Sequence, residues 1–303
     1  MSWSAIKDDR KGGKAMSDAS WASGSVEDAA DALRTFQDGL PVRLIATARS
    51  EFKTCHPDEE LSAVIGRNQA KFDILPVVEA PNGSKGRIIG FIDLVPYMGD
   101  GVPSGYVRDK MQPLSEENLI GADASILTFI QKADQQRCRF VISGPEISGL
   151  VTLSDLQRLP VRAALFTMVT HLEITMAQAI RAEFPHSEDW TNRLSDRRKA
   201  LVLSNAEEAE AKDAFVDTLL FTQFGDKVTI IKKSPHFGWG KNSFKKDMDQ
   251  IQDLRDNLAH GNNYAATPED AGQVCETVRL IDHWIKQFTN WPPRTVQATE
   301  SAK

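Results

Sequence analysis

Gly149-Leu150-Val151-Thr152-Leu153-Ser154-Asp155-Leu156 runs a β-branched strand into a turn whose threonine and aspartate stand three residues apart. The spacing is that of a capping box, in which Thr152 caps the first turn and Asp155 reaches back to it. Upstream, Ala122-Asp123-Ala124-Ser125-Ile126 opens a helix and Phe140-Val141-Ile142 reads as a strand. The same order occurs once before: Pro57-Asp58-Glu59-Glu60-Leu61 opens a helix, Pro76-Val77-Val78 is a strand, and a second strand ends on Gly90-Phe91-Ile92-Asp93. One plan used twice marks an internal duplication. Within the first copy, Pro81-Asn82-Gly83-Ser84 predicts a hairpin turn.

Beyond about residue 160 the strand signal ends. Leu165, Met168, Leu172, Met176, Ala179 and Ala182 recur at steps of three and four, as do Val274, Val278, Ile281 and Ile285. Each set marks the apolar face of a helix, the first over residues 160–184 and the last over 268–288, opened by Pro268 after N-cap Thr267. The fold class expected is α+β: a mixed α/β pair with two short sheets and helices, then an all-α helical bundle. The boundaries are a disordered arm over 1–25, the duplicated module over 26–160, the helical domain over 161–291 and a disordered tail over 292–303.

Composition fits two folded units, with 303 residues, 41% hydrophobic and 26% charged. Lys and Arg number 36 against 42 Asp and Glu, so the chain as a whole offers no field to attract a polyanion, and any nucleic-acid contact is a local patch. Cys55, Cys138 and Cys275 fit neither a disulfide framework nor a zinc cluster. With no export signal and no run of apolar residues long enough to span a bilayer, the expectation is a cytoplasmic protein without membrane contact.

The duplicated stretch, roughly residues 43–160, resembles the CBS domain pair. Tyr106-Val107-Arg108-Asp109-Lys110-Met111 is similar to the segment leading into the second copy. The resemblance implies two motifs about a pseudo-twofold axis with clefts for adenosine-type ligands. Gly149, Thr152 and Asp155 match its Gly-x-x-Thr-x-x-Asp signature, whose hydroxyl and carboxylate meet phosphate or ribose. A carboxylate suits a ribose diol, and a hydroxyl beside free backbone N–H groups suits phosphate. The capping-box reading of the same residues stays open beside it. Arg139, with Arg137 near it, is a candidate phosphate contact. The first copy departs from the signature, with Asp93 at the threonine position and Pro96 at the aspartate position, so one adenosine nucleotide per chain is expected.

In the second half stands Leu254-Arg255-Asp256-Asn257-Leu258-Ala259-His260-Gly261, late on a helix that Gly261 should end. Histidine can accept and return a proton near neutrality and arginine is a fork for phosphate, although both also complement a helix C-terminus. Arg-x4-His on a late helix of an all-α domain of about 130 residues resembles the HEPN superfamily. That resemblance implies a metal-independent endoribonuclease that dimerises to pair two motifs, with no cofactor for catalysis. Arg255, Asp256, Asn257 and His260 would then be catalytic, His260 as acid or base and Arg255 on the phosphate. Members of that superfamily also exist that only bind, so a regulatory scaffold is the alternative.

Residues 227–246 contain Lys227, Lys232, Lys233, Lys241, Lys245 and Lys246 and no acidic residue. Phe237, Trp239 and Phe244 lie among them. Basic residues with interleaved aromatics fit single-stranded RNA, with Lys232, Lys233, Trp239, Lys241 and Lys245 as contacts; the other reading packs the aromatics on the bundle. The resulting expectation is a nucleotide-sensing module controlling an RNase in a homodimer or higher even oligomer, a microbial stress or defence effector.

Overall fold

The computed structural model describes residues 32–33, 35–36, 39–79, 86–98, 104–212 and 217–291; the arm, the tail and the hairpin turn at 81–84 lie outside them. The architecture is α+β. Strands β1 (Thr47–Ala48), β2 (Ile74–Glu79), β3 (Arg87–Asp93), β4 (Gln112–Pro113), β5 (Leu119–Gly121), β6 (Cys138–Ser143) and β7 (Glu146–Thr152) form two sheets, ordered β1-β7-β6-β5 and β2-β3-β4. Helices α1 (Leu61–Arg67) and α2 (Ile126–Ile130) precede β2 and β6.

The duplication is visible in the registers. β2 and β3 pair antiparallel with Ile74 opposite Asp93 and a bulge between Val77 and Val78. β6 and β7 pair antiparallel with Cys138 opposite Thr152 and a bulge between Val141 and Ile142. Laid strand on strand, the two bulges coincide. Asp93 then falls on Thr152, Gly90 on Gly149 and Pro96 on Asp155. Both glycines sit where a third strand crosses: β4 meets β3 at Gly90 and β1 meets β7 at Gly149. A Cβ on Gly90 would lie 2.2 Å from the Gln112 carbonyl oxygen, and one on Gly149 3.0 Å from that of Thr47. The glycine of the signature is required by close strand approach.

Phe91 and Phe140 meet between the two sheets, ring centroids 6.1 Å apart, in a small core with Ile88, Cys138 and Leu150. A second small core fills the first motif around Leu61, Val64, Val77 and Ile92. The largest core ignores the change of sequence character at residue 160. It runs from Val42, Ile120, Phe129 and Val151 in the second motif through the helical half to Trp291.

That half comprises α3 (Leu159–Glu183), α4 (Ser187–Thr191), α5 (Asp196–Glu210), α6 (Phe224–Lys232), α7 (Lys241–Ala259) and α8 (Pro268–Thr289). α3 packs against α6, α7 and α8. Leu165, Met168, Leu172, Met176 and Ala179 are buried as the spacing predicts, whereas Ala182 is exposed because the stripe has turned outward by the last helical turn. Val274, Val278 and Ile281 are buried and Ile285 half-buried. By length and apolarity α3 could cross a bilayer, although no single run of its sequence is uninterrupted; 67% of its apolar window is buried inside the protein. Cys55, Cys138 and Cys275 are buried free thiols, pushed by burial up to about 12, 12 and 11.

The two halves are clamped as well as packed. Arg279 of α8 forks onto Asp134 beyond α2, at 3.0 and 2.7 Å, and also donates to the Gln131 carbonyl at 2.9 Å.

Candidate functional site

A cleft of about 600 Å³ lies where both motifs and the helical half meet, a size that suits a small-molecule ligand. The first motif contributes Lys71, Phe72, Asp73 and Asp93; the second contributes Arg137, Thr152, Asp155 and Arg158; the segment leading into α8 contributes Ala265, Ala266 and Thr267.

Thr152 and Asp155 form the predicted capping box at the start of a 3-10 turn over Leu153–Gln157. The Asp155 carboxylate accepts from the Thr152 backbone N–H at 2.7 Å and from Arg158 Nε at 2.7 Å, with the Thr152 hydroxyl at 3.3 Å. It is 6% exposed. Burial raises its pKa above the ordinary carboxylate value, opposed by the Thr152 amide and by Arg158. A carboxylate has about four lone-pair sites, and three are taken by these contacts. Arg158 also donates to the Thr47 hydroxyl at 3.1 Å.

Arg139, carried from the sequence as a phosphate contact, does not line this cleft. It stands opposite Val151, one register step into the sheet, with Nε buried and unpartnered among the described residues. Arg137, just before β6, lines the cleft instead. Sequence reading also missed Lys71 and Phe72. Lys71 is the one non-glycine among the described residues with a positive φ, 52°. Asn68, the residue after α1, holds this turn: its side chain donates to the Phe72 carbonyl at 2.8 Å and accepts from the Phe72 N–H at 3.0 Å. A left-handed backbone is uncommon for a residue other than glycine, and Phe72 is left 43% exposed. The only trace in the sequence is an asparagine after a short helix. Asp93 caps its own turn by accepting from the Val95 N–H at 3.0 Å.

The Arg255 motif lies on the last turns of α7. Arg255 Nε donates to Glu173 of α3 at 2.7 Å, and Nη1 reaches Asp256 at 3.3 Å. Asp256 also accepts from Gln252 at 2.7 Å. It makes no hydrogen bond to the His260 imidazole among the described residues. Asn257, about 200° around the helix from Arg255, lines a groove of about 580 Å³ between α7 and α8 together with Lys245 and Lys246. His260 caps the helix end and is exposed, its N–H donating to the Asp256 carbonyl at 3.0 Å. Gly261 has φ 71° and Asn262 N–H returns to the Asn257 carbonyl at 3.0 Å, the expected glycine stop.

Of the RNA-binding candidates, Trp239 is half-buried. Its ring packs among Phe237, Phe244, Trp284, Phe288 and Trp291, centroids 5.2 to 6.2 Å away. The interleaved aromatics build the bundle, since rings this large gain more from burial than from exposure between charges. Lys233 donates to the Arg193 carbonyl at 2.5 Å, Lys245 pairs with Asp249, Lys232 is half-buried and Lys241 is exposed. Lys227 is buried, donating to the Thr222 carbonyl at 2.9 Å, and burial lowers its pKa. The basic run is therefore not one continuous surface.

No protein-family model matches the chain, and no curated protein matches it. Among solved structures, the CBS domain of a bacterial CNNM/CorC family Mg2+ transporter in complex with ATP is similar over 43% of this chain and 93% of its own, at 19% identity and TM-score 0.34. The same domain in complex with the inhibitor IGN95a is similar over 47% and 88%, at 16% identity and TM-score 0.35. A hemolysin-like protein containing a CBS domain from Oenococcus oeni PSU is similar over 42% and 93%, at 14% identity and TM-score 0.33.

Proposed function

We propose that the chain is a regulatory module that binds one adenosine nucleotide in the three-walled cleft and passes its presence to the helical half. The observation that carries this is the convergence on one cleft of the Thr152–Asp155 turn, the strained Lys71–Phe72 turn and the start of α8. Lys71 and Arg137 meet the phosphates, Phe72 covers the base, and the remaining lone pair of Asp155 accepts from the ribose diol. The Thr152 hydroxyl belongs to the same turn. Isothermal calorimetry with ATP tests this: one site per chain is expected, weakened in Arg137→Ala and in Phe72→Ala. No binding, or two equivalent sites, overturns it.

The finer reading, favoured by the exposed imidazole of His260, which makes no hydrogen bond among the described residues, is RNA cleavage without a metal by Arg255 and His260. In it a 2′-hydroxyl deprotonated by His260 attacks the adjacent phosphorus, the 5′-oxygen leaves, and Arg255 stabilises the phosphate. With Arg255 engaged by Glu173 and Asp256, this reading takes a homodimer that pairs two motifs. Asn257, Lys245 and Lys246 would then follow the RNA along the α7–α8 groove. Cleavage that persists in EDTA, leaves 2′,3′-cyclic phosphate ends and disappears in His260→Ala is expected. Intact RNA under every nucleotide tried leaves a regulatory scaffold.

A further inference from the structure

The cleft and the end of α7 are joined by two short chains of contacts that neither site requires for itself. Leu156, in the turn that Thr152 begins, offers its carbonyl to the Tyr264 hydroxyl at 2.6 Å. Tyr264 is 6% exposed and sits immediately before the residues that wall the cleft. Its ring lies under the guanidinium of Arg162, 5.0 Å from the centroid. Arg162 in turn donates to the Leu258 carbonyl at 3.1 Å and to that of Asn262 at 2.6 Å.

The second chain is the first turn of α3. Arg158, the N-cap residue of α3, holds Asp155 in the cleft, and Arg162 stands four residues later in the first turn of the helix. The Arg162 N–H also donates to the Arg158 carbonyl at 3.3 Å. Thus the N-cap and first turn of α3 carry both the arginine that pairs with the cleft carboxylate and the arginine that donates to the Leu258 and Asn262 carbonyls at and just beyond the end of α7. Those carbonyls flank His260. Helix ends open more easily than helix interiors unless a cation or a cap holds them, so whatever fixes Arg162 fixes the motif's last turn.

We propose that Arg162 and Tyr264 are positioning residues through which a polyanion in the cleft braces the C-terminal end of α7, and with it His260. The proposal rests on the nucleotide reading for its ligand, but the connection belongs to the chain alone. A ligand that draws Arg158 or closes on Ala265, Ala266 and Thr267 necessarily acts on both chains of contacts. Such coupling requires that the ligand favour the braced state over the loose one.

Hydrogen–deuterium exchange on the full chain, with and without ATP, tests it. Amides of residues 257–264 should exchange about fivefold more slowly with ATP, the lower end of common coupling strengths. In Tyr264→Phe, ATP affinity by calorimetry should stay within about twofold, since the substitution removes only the hydroxyl that donates to the Leu156 carbonyl and Tyr264 does not line the cleft, while the slowing is lost. ATP that binds without slowing these amides, or slowing that survives in Tyr264→Phe, overturns the proposal. If calorimetry detects no ATP, the nucleotide reading falls and Asp155→Ala becomes the perturbation. Faster exchange over 257–264 that vanishes in the Tyr264→Phe background then supports the coupling, and unchanged exchange overturns it.

Discussion

Arg255 of the Arg-x4-His motif is joined to Glu173 of α3 by a 2.7 Å ion pair, and the two side chains are 34% and 23% exposed. The arginine expected to meet a phosphate is thus also a strut between two helices. Removing it leaves Glu173 near the buried Lys227 without its strongest partner. Arg255→Ala is expected to lower stability by about 1 kcal/mol after allowance for solvent screening. In a double-mutant cycle with Glu173→Ala, urea unfolding should give a coupling energy of the same order. Additive effects would show that the pair contributes nothing. A loss of RNA cleavage in Arg255→Ala is evidence of chemistry only if Glu173→Ala retains it.

Trp239 lies in an aromatic cluster with Phe244, Trp284 and Phe288. Truncating a large ring in such a setting removes packing that the neighbours replace only in part. Trp239→Ala is expected to cost about 2–3 kcal/mol, read as a lower melting temperature. RNA affinity at a temperature where the variant remains folded should be unchanged. Unchanged melting with weakened RNA binding would return Trp239 to the surface role first read from its neighbours.

Two aspartates should give stability opposite dependences on pH. Asp134 has its pKa lowered, chiefly by the hydrogen bond from Arg279. The stability it adds is present above its unfolded value of about 3.9 and is lost as pH falls through the lower folded value. Asp155 has its pKa raised, chiefly by burial. Its contribution is complete below the unfolded value and is lost as pH rises through the folded one. Relative to wild type, Asp134→Asn should therefore look most destabilised at neutral pH and converge at acid pH. Asp155→Asn should show the reverse trend. Denaturation midpoints at pH 3, 4, 5 and 7 check both, and parallel curves for either variant contradict its assignment.

The duplicated plan was legible because both copies keep the same strand spacing, and even the departures of Asp93 and Pro96 fall in register with Thr152 and Asp155. Helical periodicity located α3 and α8 for the same local reason. What could not be read was long-range. That α3 continues the core of the second motif depends on contacts between residues such as Ile126, Val151, Leu165 and Val278, which no window of sequence contains. Lys71 escaped because its left-handed backbone is imposed by Asn68, and lysine carries no mark of it. Trp239 reads two ways because alternation of lysine and aromatic residues looks alike on a surface and on a helix bundle that packs the aromatics.

Asp155 gives the sharpest separation of the two readings of its turn. Its carboxylate already ties Thr152 to Arg158, so Asp155→Ala removes both a reciprocal cap and an ion-pair partner. If that were its whole role, the variant would lose about 1 kcal/mol of stability and bind ATP as wild type does once folded. If its remaining lone pair also accepts from a ribose diol, affinity falls as well, by about tenfold for one charge-assisted hydrogen bond of roughly 1.5 kcal/mol. Deoxyribose variants of the ligand make the distinction internal to the measurement. Wild-type protein should bind 2′-deoxy-ATP more weakly than ATP, and Asp155→Ala should bind the two alike. Discrimination between them that survives in Asp155→Ala assigns the diol to another group of the cleft, with Asp73 and Asp93 on the facing wall as the carboxylates to replace next.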